Sequence, residues 1–124
     1  MEEAVALKAE AGDDALVLAG GQSLIPLLAL RLASPALLVD LNRIEGLASI
    51  RREDGWLSVG AMTRHRDVEE VGDLGEEIPI LVDAVPLIGH RAIRNRGTVG
   101  GSIAHADPAA EWPGLALALD ATVE

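Results

Sequence analysis

Two short segments about eighty residues apart carry the residue types most suited to chemistry. The first is Leu18-Ala19-Gly20-Gly21-Gln22-Ser23-Leu24. The second is Thr98-Val99-Gly100-Gly101-Ser102-Ile103-Ala104. Each sets two adjacent glycines before polar residues, between apolar flanks. Without a Cβ, such backbone lets amide N–H groups approach a ligand closely. Two segments, with the polar His105-Ala106-Asp107-Pro108 after the second, point to a large anionic cofactor carrying two phosphates.

Neither segment is a standard phosphate motif. The first lacks the Gly-Lys-Ser/Thr ending of a P-loop and the Gly-x-Gly-x-x-Gly spacing of a dinucleotide fingerprint. Its glycines also suit a plain strand-to-helix connection. The second comes near a Gly-x-Ser-x-Gly nucleophile elbow, and His105 and Asp107 supply triad residue types for Ser102. An elbow needs a buried strand before it, whereas Arg94-Asn95-Arg96-Gly97 precedes this one. The three triad types also lie too close together in sequence to suit that geometry. A small serine hydrolase is therefore the weaker alternative. The stronger reading is a second amide cradle, with the Thr98 and Ser102 hydroxyls as extra donors.

The other polar residues have both functional and plain readings. His65, His90 and His105 are too dispersed for a metal site. Arg91, Arg94 and Arg96 could steer an anion, or simply solvate a helix end. Asp107 and Glu111 could accept ribose hydroxyls, as acids do in dinucleotide sites, or simply start a helix.

The elements that must position these residues follow from pattern. Residues 2–11 predict a helix, with Glu2 and Glu3 in its first turn and Gly12 at its end. Ala15–Leu18 predicts a strand entering the first glycine pair. Ser23 is the expected cap of a helix running through Leu32, with Leu24, Leu27, Leu28 and Leu32 on one face. Ala36–Leu41 predicts a second strand, completing a right-handed βαβ unit. Further on, Ala48–Arg52 and Trp56–Gly60 flank an Asp54-Gly55 hairpin turn. Thr63 is the expected cap of a helix over 64–71. Residues 78–90 and 110–118 predict helices, and Ala121–Val123 the start of a strand.

Composition sets outer bounds. The chain has 124 residues, 49% of them hydrophobic, enough for one domain core. Only Trp56 and Trp112 are aromatic, so Leu, Ile, Val and Ala are expected to build that core. A net charge of −10 argues against non-specific nucleic-acid binding and against docking on an anionic membrane. Zero cysteines exclude disulfides, thiolate metal sites and iron–sulfur ligation by this chain. No apolar run reaches the roughly 18 residues of a membrane span. The acidic start, Glu2-Glu3, lacks the basic region of a secretory leader.

Several ordered motifs together resemble one family. They are Ala19–Leu24 with Leu30-Arg31-Leu32, Asp40-Leu41-Asn42-Arg43-Ile44, Gly60-Ala61-Met62-Thr63, and Arg94–Ser102 running on into Ala104–Glu111. The chain is similar to the medium, FAD-binding subunit of molybdenum hydroxylases, of the aerobic carbon monoxide dehydrogenase and xanthine dehydrogenase type.

The resemblance implies an α+β, two-lobed PCMH-type FAD-binding fold. It places an N-terminal small parallel βαβ lobe over residues 1–46 and the first part of a second α+β lobe over 47–124. Relatives are longer at both ends, so a truncated domain with weak or no FAD binding of its own is expected. A non-enzymatic binding or assembly module of the same fold is the alternative. The pyrophosphate-holding role carries over onto Val17, Leu18, Ala19, Gly20, Gly21, Gln22, Ser23 and Leu24, and onto Thr98, Val99, Gly100, Gly101 and Ser102. Ala61, Thr63 and Ile88 fall in stretches that line the flavin cleft. Asp107 and Glu111 fall near the ribose. The implied function is that of an FAD-dependent oxidoreductase subunit with no catalytic acid or base of its own. Molybdopterin would lie on a large partner subunit and [2Fe-2S] clusters on a small one. Electrons would reach FAD here and leave to NAD or a quinone-type acceptor. The implied location is the cytoplasm, or a membrane surface reached through those partners.

Overall fold

In the computed structural model, which describes residues 1–124, Glu2–Ala11 forms α1 as its acids and terminal glycine predict. Gly12 takes φ +54, and its N–H bonds the Lys8 carbonyl. The Lys8 ammonium then reaches the Ala15 carbonyl at 3.0 Å, tying α1 to the first strand.

The βαβ unit is present. Strand β1 (Ala15–Leu18) pairs in parallel with β2 (Leu37–Asp40), Ala15 facing Leu37 and Leu18 facing Asp40. Helix α2 (Leu24–Ala29) connects them. It ends short of Leu32, because Arg31 adopts a left-handed φ of +56 that no helix continues. Ser23 holds the cap position without a side-chain bond.

A hairpin follows. Strands β3 (Ile50–Glu53) and β4 (Trp56–Val59) pair antiparallel. Asp54 and Gly55 both take positive φ, +52 and +82, the requirement of the type I′ turn that matches strand twist.

The rest is helical: α3 (His65–Glu69), α4 (Leu74–Glu77), α5 (Pro79–Ala84), a 3₁₀ turn over Val85–Leu87, α6 (Arg91–Arg94), α7 (Val99–His105) and α8 (Glu111–Ala118). Several expectations are corrected here. Arg64, not Thr63, precedes α3, and its N–H bonds the Asp67 carboxylate at 3.3 Å. Thr63 turns away to Ser49, accepting from its N–H at 3.1 Å and donating to its carbonyl at 3.0 Å. The single helix over 78–90 divides at Pro86, which cannot donate to the helical ladder. The Gly100-Gly101 pair lies inside the first turn of α7 rather than in a loop. Residues 121–123 form no strand.

The core sits beneath these helices. Val68, Leu74, Leu81, Val85, Ile88, Val99, Trp112 and Leu115 form one buried cluster. It is aliphatic as composition predicts, apart from Trp112. The βαβ unit adds Ala15 and Val39 as its buried apolar side chains. Within the helical part, two backbone segments pair. The Ala61–His65 segment runs antiparallel to Gly97–Gly100, through His65 N–H to Gly97 O (3.1 Å), Val99 N–H to Thr63 O (3.0 Å) and Gly100 N–H to Ala61 O (2.9 Å).

Candidate functional site

The two glycine segments, distant in sequence, meet in space. A Cβ on Gly20 would lie 2.8 Å from Gly97 Cα and closer still to the Arg96 carbonyl oxygen. In the first turn of α7, a Cβ on Gly101 would lie 2.5 Å from Thr98 Oγ1 and 3.3 Å from the Ala19 methyl. Gly100 packs as tightly on Ala61, where a Cβ would meet the Ala61 Cα at 2.7 Å. Each of the three glycines has at least one contact closer than real Cβ atoms tolerate, so glycine is required there by approach rather than by conformation.

The two segments differ in the donors they leave free. In the first, the amide N–H groups of Gly20, Gly21, Gln22, Ser23 and Leu24 have no acceptor within the protein. They lie between the end of β1 and the start of α2, so the helix adds its own unpaired N-terminal groups. The Gln22 amide donates back to the Gly20 carbonyl at 3.1 Å, holding the loop's shape. In the second, the amides of Val99, Gly100, Gly101 and Ser102 are already engaged, with Thr63, Ala61, Thr98 Oγ1 and Thr98 O. The expected second amide cradle is therefore corrected: this segment offers hydroxyls. Thr98 Oγ1 accepts from Gly101 N–H at 3.2 Å as the cap of α7 and keeps its proton for a further partner.

A polar relay fixes the junction from outside. The Asn42 amide donates to the Ala19 carbonyl at 2.9 Å, and its Oδ1 accepts from the Arg64 guanidinium at 2.6 Å. Arg64 also donates to the Arg96 carbonyl. Asp40 holds Asn42 in place, accepting its backbone N–H at 2.9 Å. That bond and the Asn42 side chain hold the Asp40 carboxyl below the usual carboxylate range. Partial burial and the neighbouring Arg96 lower the Arg64 pKa from its ordinary value.

Between the segments lies a cavity of about 620 Å³, within the roughly 300–1,000 Å³ of small-molecule and cofactor sites. Of the residues expected there, Val17, Ala19, Gly20, Gly21, Gln22, Ser23 and Leu24 line it from the first segment. Thr98, Gly100, Gly101 and Ser102 line it from the second, joined by Ala61, Ile88 and Asp107. Leu18, Thr63, Val99 and Glu111 do not. Val99 belongs to the core, Thr63 faces Ser49, Leu18 packs towards Gly21, and Glu111 stands exposed at the start of α8.

The structure also brings in residues that sequence reading left unassigned, among them Met62, His65, Ile93 and Gly97. His65 is 4% exposed, and its Nδ1 accepts the Trp112 indole N–H at 2.8 Å. Burial, aided by the charges of Arg64 and Arg94, lowers its pKa to about 4. Its partner lies 47 residues away, so no local pattern announces the pair. Gly97 was legible only as a third glycine beside the second pair.

The basic cluster is structural in part. Arg94 forms a two-pronged pair with Glu69, at 2.8 and 3.2 Å, and donates to the Gly89 carbonyl at 3.1 Å. That pair holds the Glu69 carboxyl below its ordinary range. The hydrolase geometry is absent. Ser102 sits within α7, no hydrogen bond joins it to His105, and the Asp107 carboxylate accepts the Ala109 N–H at 2.9 Å.

Comparison with known proteins gives the family and the fold. The family described as "FAD binding domain in molybdopterin dehydrogenase" matches residues 1–124. The chain is 53% identical over 123 residues to the 6-hydroxypseudooxynicotine dehydrogenase complex subunit alpha of Paenarthrobacter nicotinovorans, covering 99% of this chain and 42% of that protein. It is 44% identical to the carbon monoxide dehydrogenase medium chain of Hydrogenophaga pseudoflava, covering 96% of this chain and 42% of the relative. Among solved structures, carbon monoxide dehydrogenase from Hydrogenophaga pseudoflava superposes with a TM-score of 0.89 at 46% identity, over 94% of this chain and 40% of that one. Quinoline 2-oxidoreductase from Pseudomonas putida 86 gives 0.86 at 45% identity, over 93% and 40%. The chain thus spans about two fifths of the length of these relatives. With the family matched along its whole length and its α+β architecture shared with these structures, this chain belongs to the FAD-binding domains of molybdopterin dehydrogenases.

Proposed function

We propose that this chain forms the pyrophosphate-holding part of the flavin subunit of a molybdenum hydroxylase complex. One observation carries the reading: five consecutive free amides, Gly20 through Leu24, face a cavity whose opposite wall is the Thr98–Ser102 segment. The fit to FAD is supported by the close approach at Gly20 and Gly100, where side chains are excluded and backbone forms the wall. It is also supported by the absence of any nearby carboxylate on the amide loop itself, which would repel phosphate.

In this reading the amides of Gly20–Leu24 bind the pyrophosphate, and the Thr98 and Ser102 hydroxyls donate from the other side. Val17, Ala61 and Ile88 supply apolar wall. Asp107, already in a local turn, has a second carboxylate oxygen available for a ribose hydroxyl. When bound, FAD supplies the redox chemistry, taking electrons from iron–sulfur clusters of a partner subunit and passing them to an external acceptor. This chain's part is to bind and orient it. Partner subunits bearing molybdopterin and iron–sulfur clusters belong to the same proposal, and the relatives' names, "complex subunit alpha" and "medium chain", support it.

Titration with FAD of this chain lengthened to the extent of its relatives, read by flavin fluorescence and absorbance, tests the reading. Saturable binding that Gly20→Ala abolishes is expected. No binding at millimolar FAD, or binding indifferent to Gly20→Ala, overturns it.

A further inference from the structure

His65 has one nitrogen occupied and one free. Its Nδ1 accepts the Trp112 N–H at 2.8 Å, and the two rings stack at 5.8 Å between centroids. Because Nδ1 is an acceptor, the proton of the neutral imidazole must reside on Nε2. That N–H has no protein acceptor, although the residue is 4% exposed. The Nε2 edge lies against Gly97, where a Cβ would come within 2.5 Å of it, and His65 lines the cavity between the glycine segments. The Nε2 donor is not sealed in the core, since His65 lines the cavity, and it is left without a protein acceptor there. This one is held in a single tautomer, next to the backbone on which Gly20 packs.

We propose that His65 donates a hydrogen bond from Nε2 to an acceptor atom of bound FAD, with Trp112 as the positioning residue that fixes its tautomer. This rests on the flavin reading above. The imidazole stays neutral down to about pH 4 because it is buried beside Arg64 and Arg94. It therefore contributes a donor and no charge. The same geometry explains why residue 97 is glycine: any side chain there would fill the space at Nε2.

Nitrogen NMR of ¹⁵N-histidine in the same lengthened chain tests this, with FAD, ADP and riboflavin as separate probes. Before ligand, His65 shows a protonated Nε2 and a bare Nδ1. On FAD saturation the Nε2–H signal shifts and its exchange with water slows. The same response to ADP or to riboflavin identifies which half of FAD it meets. His65→Phe keeps an aromatic ring without the donor and weakens FAD binding about tenfold, whereas His65→Gln restores most of it. If flavin fluorescence shows FAD bound while the His65 Nε2 signal is unmoved, the role of His65 is overturned and the flavin reading stands. If the wild-type chain takes up no FAD by fluorescence, both fall. The wild-type spectra decide the matter even where a variant fails to fold.

Discussion

Gly20 rests directly on Gly97: a methyl group at residue 20 would stand 2.8 Å from the Gly97 Cα. The obstruction is backbone on both sides, so no rotamer change relieves it. Gly20→Ala is expected to destabilise the fold by about 1–3 kcal/mol, the usual cost of overpacking, and to open the cavity junction. Gly114 is the contrast. It lies within α8 with nothing near its absent side chain, so Gly114→Ala is expected to stabilise by about 0.5–1 kcal/mol. Urea denaturation of the two variants checks the opposite signs.

Thr98 caps α7 through its hydroxyl oxygen, which accepts from Gly101 N–H. Thr98→Val keeps the volume and loses the acceptor. It is expected to cost about 1 kcal/mol, while Thr98→Ser retains the cap. Equal midpoints for Val and Ser in denaturant would show that the cap contributes nothing.

Asn42 holds the Ala19 carbonyl from outside the cavity. In a trans peptide the Gly20 N–H points the opposite way, so this bond aims that amide. Asn42→Asp keeps an acceptor for Arg64 but loses the donor to Ala19. The expected result is a stability loss of about 0.5–1.5 kcal/mol and faster hydrogen exchange at Gly20. Unchanged exchange there would remove Asn42 from the site.

The His65 pKa makes stability depend on pH. The ordinary value is 6.5 and the folded value about 4. Between these limits the unfolded chain binds the extra proton, so stability falls as pH drops through that window and falls no further on this account below about 4. The paired carboxylates Asp40 and Glu69, both held low, lose their contribution at lower pH. Thermal melts from pH 7 to 4 are expected to show a decline in wild type that His65→Gln flattens. Parallel slopes would contradict the assignment.

Much of the local structure was legible in the residues themselves. Gly12, the Asp54-Gly55 turn and the strands at Ala15–Leu18 and Leu37–Asp40 each appear where the pattern puts them. The misreadings came where a side chain had two partners to choose between. Thr63 was as good a helix cap as any, but Ser49 lay within reach and took its hydroxyl. Gly100-Gly101 read as a loop because glycine is a poor helix former, yet Thr98 caps a helix there, and close contact with Ala61 and with the Thr98 hydroxyl leaves no room for side chains.

The site divides in the same way. The sequence by itself determined that two glycine-rich segments exist, which residues flank them, and that the chain holds no cysteine for a cluster of its own. Only the tertiary structure decided that the first segment has free amides while the second has used its own. It also decided that Asn42 and Arg64 lock the junction, and that Trp112 sets the tautomer of His65. The reason is physical. A residue's conformational limits belong to its own covalent geometry, whereas the fate of a hydrogen-bonding group depends on which partner the fold brings within about 3 Å of it.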